Sequence, residues 1–174
     1  GPATEVIDLH EQRFSVDQHP ESPDCVKGLS LTALSINGNP VSPSSPPVSL
    51  RTNASVDLAL SYEILRDLEH GVQIGLLVKT MDGHNIGGFT TNAGGAPLCG
   101  ARGRYTLNIH LARLPLLQGN YHFGFSAFDG GYTEQLAVWN RACNVRVRTD
   151  DYNGLHLVGT TLIDHALSLT THTR

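Results

Sequence analysis

Apolar and polar residues alternate with a period of two along most of this chain, and Gly, Pro and Asn interrupt the alternation at short intervals. The pattern is clearest in LPLLQGNYHFGFSAFDG, residues 114–130. There Tyr121, Phe123, Phe125 and Ala127 alternate with His122, Gly124, Ser126 and Phe128. Successive side chains of a strand point to opposite faces, so the segment predicts a half-buried strand with one face on a core. Its opening Gly-x-Tyr follows a short apolar corner, which in two-sheet sandwiches lets the phenol hydrogen-bond back to the corner's backbone. The opposite face carries His122, Ser126 and Phe128, which the fold itself does not require.

The same reading predicts strands at 26–36, 56–64, 72–80, 86–91, 105–111, 121–128, 132–139 and 143–148. A further apolar piece at 155–163 precedes a polar tail. Asn37-Gly38-Asn39-Pro40 and Asp82-Gly83 are turn signals, while 42–47 and 94–100 read as loops. With almost no helical periodicity, the prediction is an all-β protein. It is an antiparallel two-sheet sandwich of about eight strands, jelly-roll or immunoglobulin-like. The expected division is a tag scar and linker at 1–23, the sandwich at 24–150, and a C-terminal strand with its tail at 151–174.

Composition narrows the function. The 174 residues suffice for one domain with a real core. Only 16% are charged, the formal net charge is -4 and no basic stripe stands out, which argues against nucleic acid as a partner. No apolar run approaches the roughly 18 residues of a membrane helix, and the start is unlike a signal peptide. Gly1-Pro2 reads as the scar of a cleaved tag, so further sequence is expected upstream. Cys25, Cys99 and Cys143 are odd in number and widely spaced, with no CxxC. They fit a reducing, cytoplasmic location, Cys143 reading as a buried small hydrophobe.

Catalytic and metal motifs are missing. The nine histidines form no HExxH or HxH. His110 and His122 flank one corner and could approach each other, but without a nearby carboxylate they make a poor metal site, so no metal is expected. There is no G-x-S-x-G and no phosphate-cradling glycine loop. Alternation places Asp57 and Glu63 on a strand's solvent face, with Asp67 and Glu69 in the following turn, so no glycosidase pair is expected. Asn53-Ala54-Ser55 matches a glycosylation sequon that a cytoplasmic protein would not use.

What remains is a binding face. If the strands at 72–80, 121–128 and 143–148 share a sheet, its outer face carries Gln73, Lys79, His122, Ser126, Phe128, Asn144 and Arg146. Planar amides that hydrogen-bond and an aromatic ring that stacks are what a sugar needs. Gln73, Asn144 and His122 are the expected hydrogen-bonding groups, and Phe128 or Tyr132 the stacking ring. Lys79 or Arg146 would pair with an acidic or phosphorylated cap. The alternative for Phe128 is a ring that caps the end of the sandwich. Trp139 either pins the core, the default, or lines a rim.

Along nearly the whole chain, ordered segments resemble one family. They are VKGLSLTALSINGNP, SVDLALSYEI, GVQIGLLVKTMDGHNIGGFTTN, RYTLNIHLARLPLLQGNYHFGFSAF and AVWNRACNVRVRTDDYNGLHLVG. The resemblance is to the C-terminal carbohydrate-binding domain of the ATPase subunit of O-antigen ABC transporters, the Wzt type. It implies a sandwich without catalysis or cofactor that binds the modified non-reducing end of lipid-linked O-antigen polysaccharide. The domain would act in the cytoplasm, peripheral to the inner membrane, and reach a membrane permease through an upstream ATPase domain. It also implies a homodimer that can exchange a C-terminal strand, for which 155–163 is the expected segment. The sequence carries no Walker motif, so the ATPase domain is expected upstream. Alternative readings are a protein-interaction or dimerisation module without a glycan site, and an accessory module of a polysaccharide-active enzyme.

Overall fold

The computed structural model describes residues 24–91, 96–148 and 165–172. Eleven strands and no helix occur among them. In chain order these are β1 (Asp24–Cys25), β2 (Leu29–Ile36), β3 (Asn39–Val41), β4 (Val48–Arg51), β5 (Val56–Ile64) and β6 (Val72–Thr80). There follow β7 (Asn85–Thr90), β8 (Gly103–Leu111), β9 (Gly119–Asp129), β10 (Gln135–Arg148) and β11 (His165–His172). One sheet runs β1-β10-β9-β6-β7, with β4 also joined to β10; the other runs β11-β8-β5-β2-β3.

Alternation decides what the two sheets bury between them. From the first sheet come Val72, Ile74, Leu76, Val78, Phe123, Phe125 and Trp139; from the second come Leu58, Leu60, Tyr62, Leu107 and Ile109. A strand shifted by one residue would turn this whole set to solvent, so burial fixes the register. Asn37 and Gly38, with φ 50° and 77°, make the two-residue turn that joins β2 to β3.

The expected tyrosine corner is present, and a second accompanies it. Tyr121 Oη donates to Leu117 O at 2.9 Å, and Tyr105 Oη donates to Ala101 O at 2.8 Å. Both tyrosines sit two residues after a glycine, Gly119 and Gly103. A Cβ there would lie 3.1 Å from the Tyr121 hydroxyl and 3.3 Å from the Tyr105 ring. The missing side chain is what lets each ring fold back over its own strand start.

The structure departs from the sequence reading in three places. The expected strands 132–139 and 143–148 are one strand, β10, because a bulge between Trp139 and Cys143 carries the ladder through. The loop expected at 42–47 is flanked by the short strands β3 and β4, and β4 pairs with β10 in parallel, so the first sheet is mixed rather than purely antiparallel. The segment 155–163 lies outside the described residues. Among the described residues the strand that pairs with β8 is β11, in the expected tail. Its register sets Leu167 and Leu169 opposite Ile109 and Leu107.

Candidate functional site

Strands β7, β6, β9 and β10 are neighbours, so the three segments expected to share a sheet do share one. Their register lays the outer face out in rows. One row crosses Asn85, Lys79, His122 and Asn144. The next holds Gly88, Leu77 and Gly124, and the third Thr90, Gly75, Ser126 and Val138. The last holds Gln73, Phe128 and Gln135. Glycines and a serine fill most of the middle, so the two ends stand above it. Six residues of β9 separate the end rows, about 20 Å at the rise of a strand.

This face is more deeply set than its sequence suggests. Gln73 is 3%, Ser126 3%, His122 8% and Lys79 9% exposed, although all four lie on the side away from the core. Burying polar side chains costs free energy unless they find partners, and two of these atoms have none. Gln73 donates through Nε2 to Gly130 O at 2.7 Å, but its Oε1 is buried without a hydrogen-bond partner, and so is His122 Nδ1. The outer face of the second sheet is arranged differently. There Asp57 Oδ1 meets His110 Nδ1 at 2.6 Å, Glu63 meets Arg104 at 3.4 Å, and Ser61 meets Thr106 at 3.4 Å.

At one end of the face stands an aromatic pair. Phe128 and Tyr132 stack with centroids 4.9 Å apart and planes 18° from parallel. Tyr132 lies in the β9–β10 turn, not on a strand, with φ 61°, a left-handed conformation that costs a non-glycine residue roughly 1–2 kcal/mol. The turn enforces it. Tyr132 N–H donates to Asp129 O at 2.9 Å. Asp129 Oδ1 accepts from Thr133 N at 2.6 Å and Glu134 N at 2.7 Å, and its Oδ2 accepts from Thr133 Oγ1 at 2.8 Å. Desolvation pushes the Asp129 carboxyl up, but these hydrogen bonds outweigh it and hold it below its ordinary range.

At the other end the charge is positive. Burial lowers the Lys79 pKa; burial first, then the charges of Arg141 and Lys79, lowers that of His122. Arg141 sits in the β10 bulge, its Nε donating to Asn144 Oδ1 at 2.7 Å, while Asn144 Nδ2 donates to Pro43 O at 3.1 Å. The bulge lies over β9 because residue 124 is glycine; a Cβ there would be 2.6 Å from Asn140 O and 3.0 Å from Trp139 O. Arg146 is one row further out, exposed, and donates to Asn120 Oδ1 at 3.2 Å.

All the expected site residues except Tyr132 therefore lie on strands of one face, and the turn brings Tyr132 back to it. Arg141 was missed. Strict alternation from Trp139 to Cys143 turns residue 141 inward, and only the two extra residues of the bulge turn it out. An arginine at an inward position of a core strand was the available signal. His110 and His122 do not approach each other: they lie on the outer faces of different sheets, and His110 does have a carboxylate beside it. Trp139 and Cys143 are in the core, where Trp139 Nε1 is unpartnered. Among the described residues no three His, Cys, Asp or Glu side chains are grouped to hold a metal ion, and no helix is long and apolar enough to cross a membrane.

Comparison with known proteins now bears on this face. No curated protein matches the chain. A solved structure described as the crystal structure of the C-terminal domain of wzt shares the fold, with a TM-score of 0.60 at 19% identity over 83% of this chain and 90% of that one. The family model for the Wzt C-terminal domain matches residues 44–160, more than half of the chain, including β4 to β10 and so all four strands of the face. The chain belongs to the Wzt C-terminal domain family.

Proposed function

We propose that the outer face of the β10-β9-β6-β7 sheet binds carbohydrate without catalysis, and that its ligand is the modified non-reducing end of a lipid-linked O-antigen polysaccharide awaiting ABC-transporter export. The observation that carries the reading is Gln73 Oε1, buried and unpartnered one row-position from Phe128. A buried acceptor without a donor costs about 1–3 kcal/mol; it is closed off in the free fold, so a sugar hydroxyl supplies that donor only when the Gln73 amide turns toward the face. The stacked pair Phe128 and Tyr132 offers a flat apolar surface to the C–H face of the same ring. Ser126, His122 and Asn144 continue the polar track along the face.

Family membership supports the setting: a cytoplasmic domain joined to an upstream ATPase domain and, through it, to a membrane permease. The pairing of β11 with β8 supports a homodimer by exchange, since a second copy's β11 could occupy the same edge with the same register. Each site alone is expected to bind weakly, because desolvation offsets much of every sugar hydrogen bond. Two sites on one dimer compensate through effective concentration.

The test is calorimetry of the domain with O-polysaccharide from its own source and from a foreign one. Saturable binding to its own glycan alone, lost in Phe128→Ala with the fold intact, is the expected result. Binding to neither glycan refutes the proposal and favours a protein-docking module. Unchanged affinity in Phe128→Ala removes that ring from the site.

A further inference from the structure

We propose that Asn144 is a positioning residue: it holds the loop 42–47 against the outer face, and that loop is the side wall that sets which sugars fit there. The inference rests on the carbohydrate reading and adds to it an element that lies off the sheet. The sequence pattern points Asn144 at the sugar itself, but both ends of its amide are engaged within the fold. Oδ1 accepts from Arg141 Nε at 2.7 Å, and Nδ2 donates to Pro43 O at 3.1 Å. A guanidinium only donates and a carbonyl only accepts, so the two partners fix which way the amide faces. Asn144 therefore acts on a ligand through what it holds.

The loop joins β3 of one sheet to β4 of the other and crosses beside β10, with which β4 pairs. A crossover needs no contact with an outward side chain, so the bond to Asn144 is what brings Pro43 up to the outer face. The loop is also stiff. Ser45 N donates to Ser42 O at 3.1 Å, which closes a turn with proline at its second position, where the fixed φ of that residue is favoured. Ser42 N donates to Ser45 Oγ at 3.1 Å, and Ser42 Oγ lies 2.8 Å from Ser45 Oγ. Pro46 and Pro47 fix φ twice more before β4 begins at Val48. A segment ordered this fully in the free protein loses little entropy when a ligand rests against it.

The row Asn85, Lys79, His122 and Asn144 is thereby open at one end and closed at the other. Asn85 is exposed on β7, the last strand of the sheet, whereas Pro43 stands beside Asn144. His122, the register partner of Asn144, is only 8% exposed although it faces away from the core, so groups standing on the face itself cover it. A sugar on the polar track between this row and Phe128 has the sheet beneath it and the loop at its β10 side. A floor alone accepts any ring that stacks; a floor with a rigid wall limits the substituents carried on the walled side.

The test is calorimetry of the domain with the O-polysaccharide of its own source, run beside amide hydrogen exchange at residue 45, on samples that urea unfolding shows to be folded. Asn144→Asp keeps the acceptor for Arg141 but replaces the donor to Pro43 O with a second oxygen, and Ser45→Ala loosens the turn from the loop's side. Each variant should bind about three- to tenfold more weakly, the loss of one hydrogen bond, with faster exchange at residue 45. The double variant should be no weaker than the weaker single one, because the same loop is released only once. Slow exchange in Asn144→Asp overturns the clamp. Faster exchange with unchanged affinity, or losses that multiply in the double variant, overturns the wall. Binding that is lost in Phe128→Ala yet unchanged in both loop variants overturns the wall and leaves the carbohydrate reading intact, whereas no binding by the wild-type domain overturns both.

Discussion

Replacing Tyr132 by asparagine separates a binding role from a folding role. The residue is held at φ 61° by the hydrogen bonds that Asp129 collects from the turn. A tyrosine there gives up roughly 1–2 kcal/mol, much of which asparagine recovers because its short side chain tolerates the left-handed region. Against this gain stands the stack on Phe128, worth about 0.5–1.5 kcal/mol beyond its buried area. The two effects nearly cancel, so Tyr132→Asn should change folding stability by no more than about 1 kcal/mol in urea titrations. Ligand affinity has no such compensation. Loss of half the aromatic platform should weaken binding of the cognate polysaccharide about five- to tenfold, on the order of 1 kcal/mol. Calorimetry on the same samples measures it. A variant destabilised by more than 2 kcal/mol with unchanged affinity would show that the ring pins the turn, and the argument from strain to function would fail.

Three further outcomes follow from the same structure. Gly124→Ala should destabilise the domain by about 1–3 kcal/mol in thermal or urea unfolding, because its Cβ meets the bulge backbone, not a movable side chain. Tyr121→Phe should cost about 1 kcal/mol, the worth of the hydrogen bond to Leu117 O, with no effect on binding; a cost near zero would make that corner decorative. Native-state alkylation near neutral pH, read by peptide mass, should modify the exposed Cys99 and spare Cys143, whose thiol burial pushes up to about 12.

Much of the fold was legible because burial enforces parity. The strands at 56–64 and 72–80 match β5 and β6 residue for residue, since every second residue of each is held in the core along nearly its full length. Strands β3 and β4 were not legible: three and four residues long and mostly exposed or half-buried, they contain too little alternation to register. β11 was hidden by composition, because HALSLTTH reads as a polar tail once its two leucines are taken singly. The make-up of the candidate face was legible where it lies on straight strands, as for Gln73, Lys79, His122 and Ser126, and illegible where the chain bends. Arg141 depends on a bulge, and the positive φ that directs Tyr132 depends on a turn, neither of which the spacing of apolar residues records.

The contrast between the two outer faces gives the strongest reason to place recognition on one of them. On the β5–β8 face, acid meets base and hydroxyl meets hydroxyl, so its polar residues are satisfied by the fold alone. On the β6–β9 face the chain accepts an orphaned amide oxygen, an orphaned imidazole nitrogen and a strained tyrosine. It also holds like charges together there. Tyr132 regains part of its cost through the stack on Phe128 and Gln73 part through its bond to Gly130 O, yet each costly feature would be removed by a single change: Gln73 by Leu, Tyr132 by Gly, Lys79 by Met. Retaining them costs stability in the free domain, yet the same burial means that little water has to leave these groups when a ligand arrives. The protein's share of the desolvation and orientation cost is met in advance by the core on the sheet's other side, and the sugar's own share, which is not, keeps each proposed site weak.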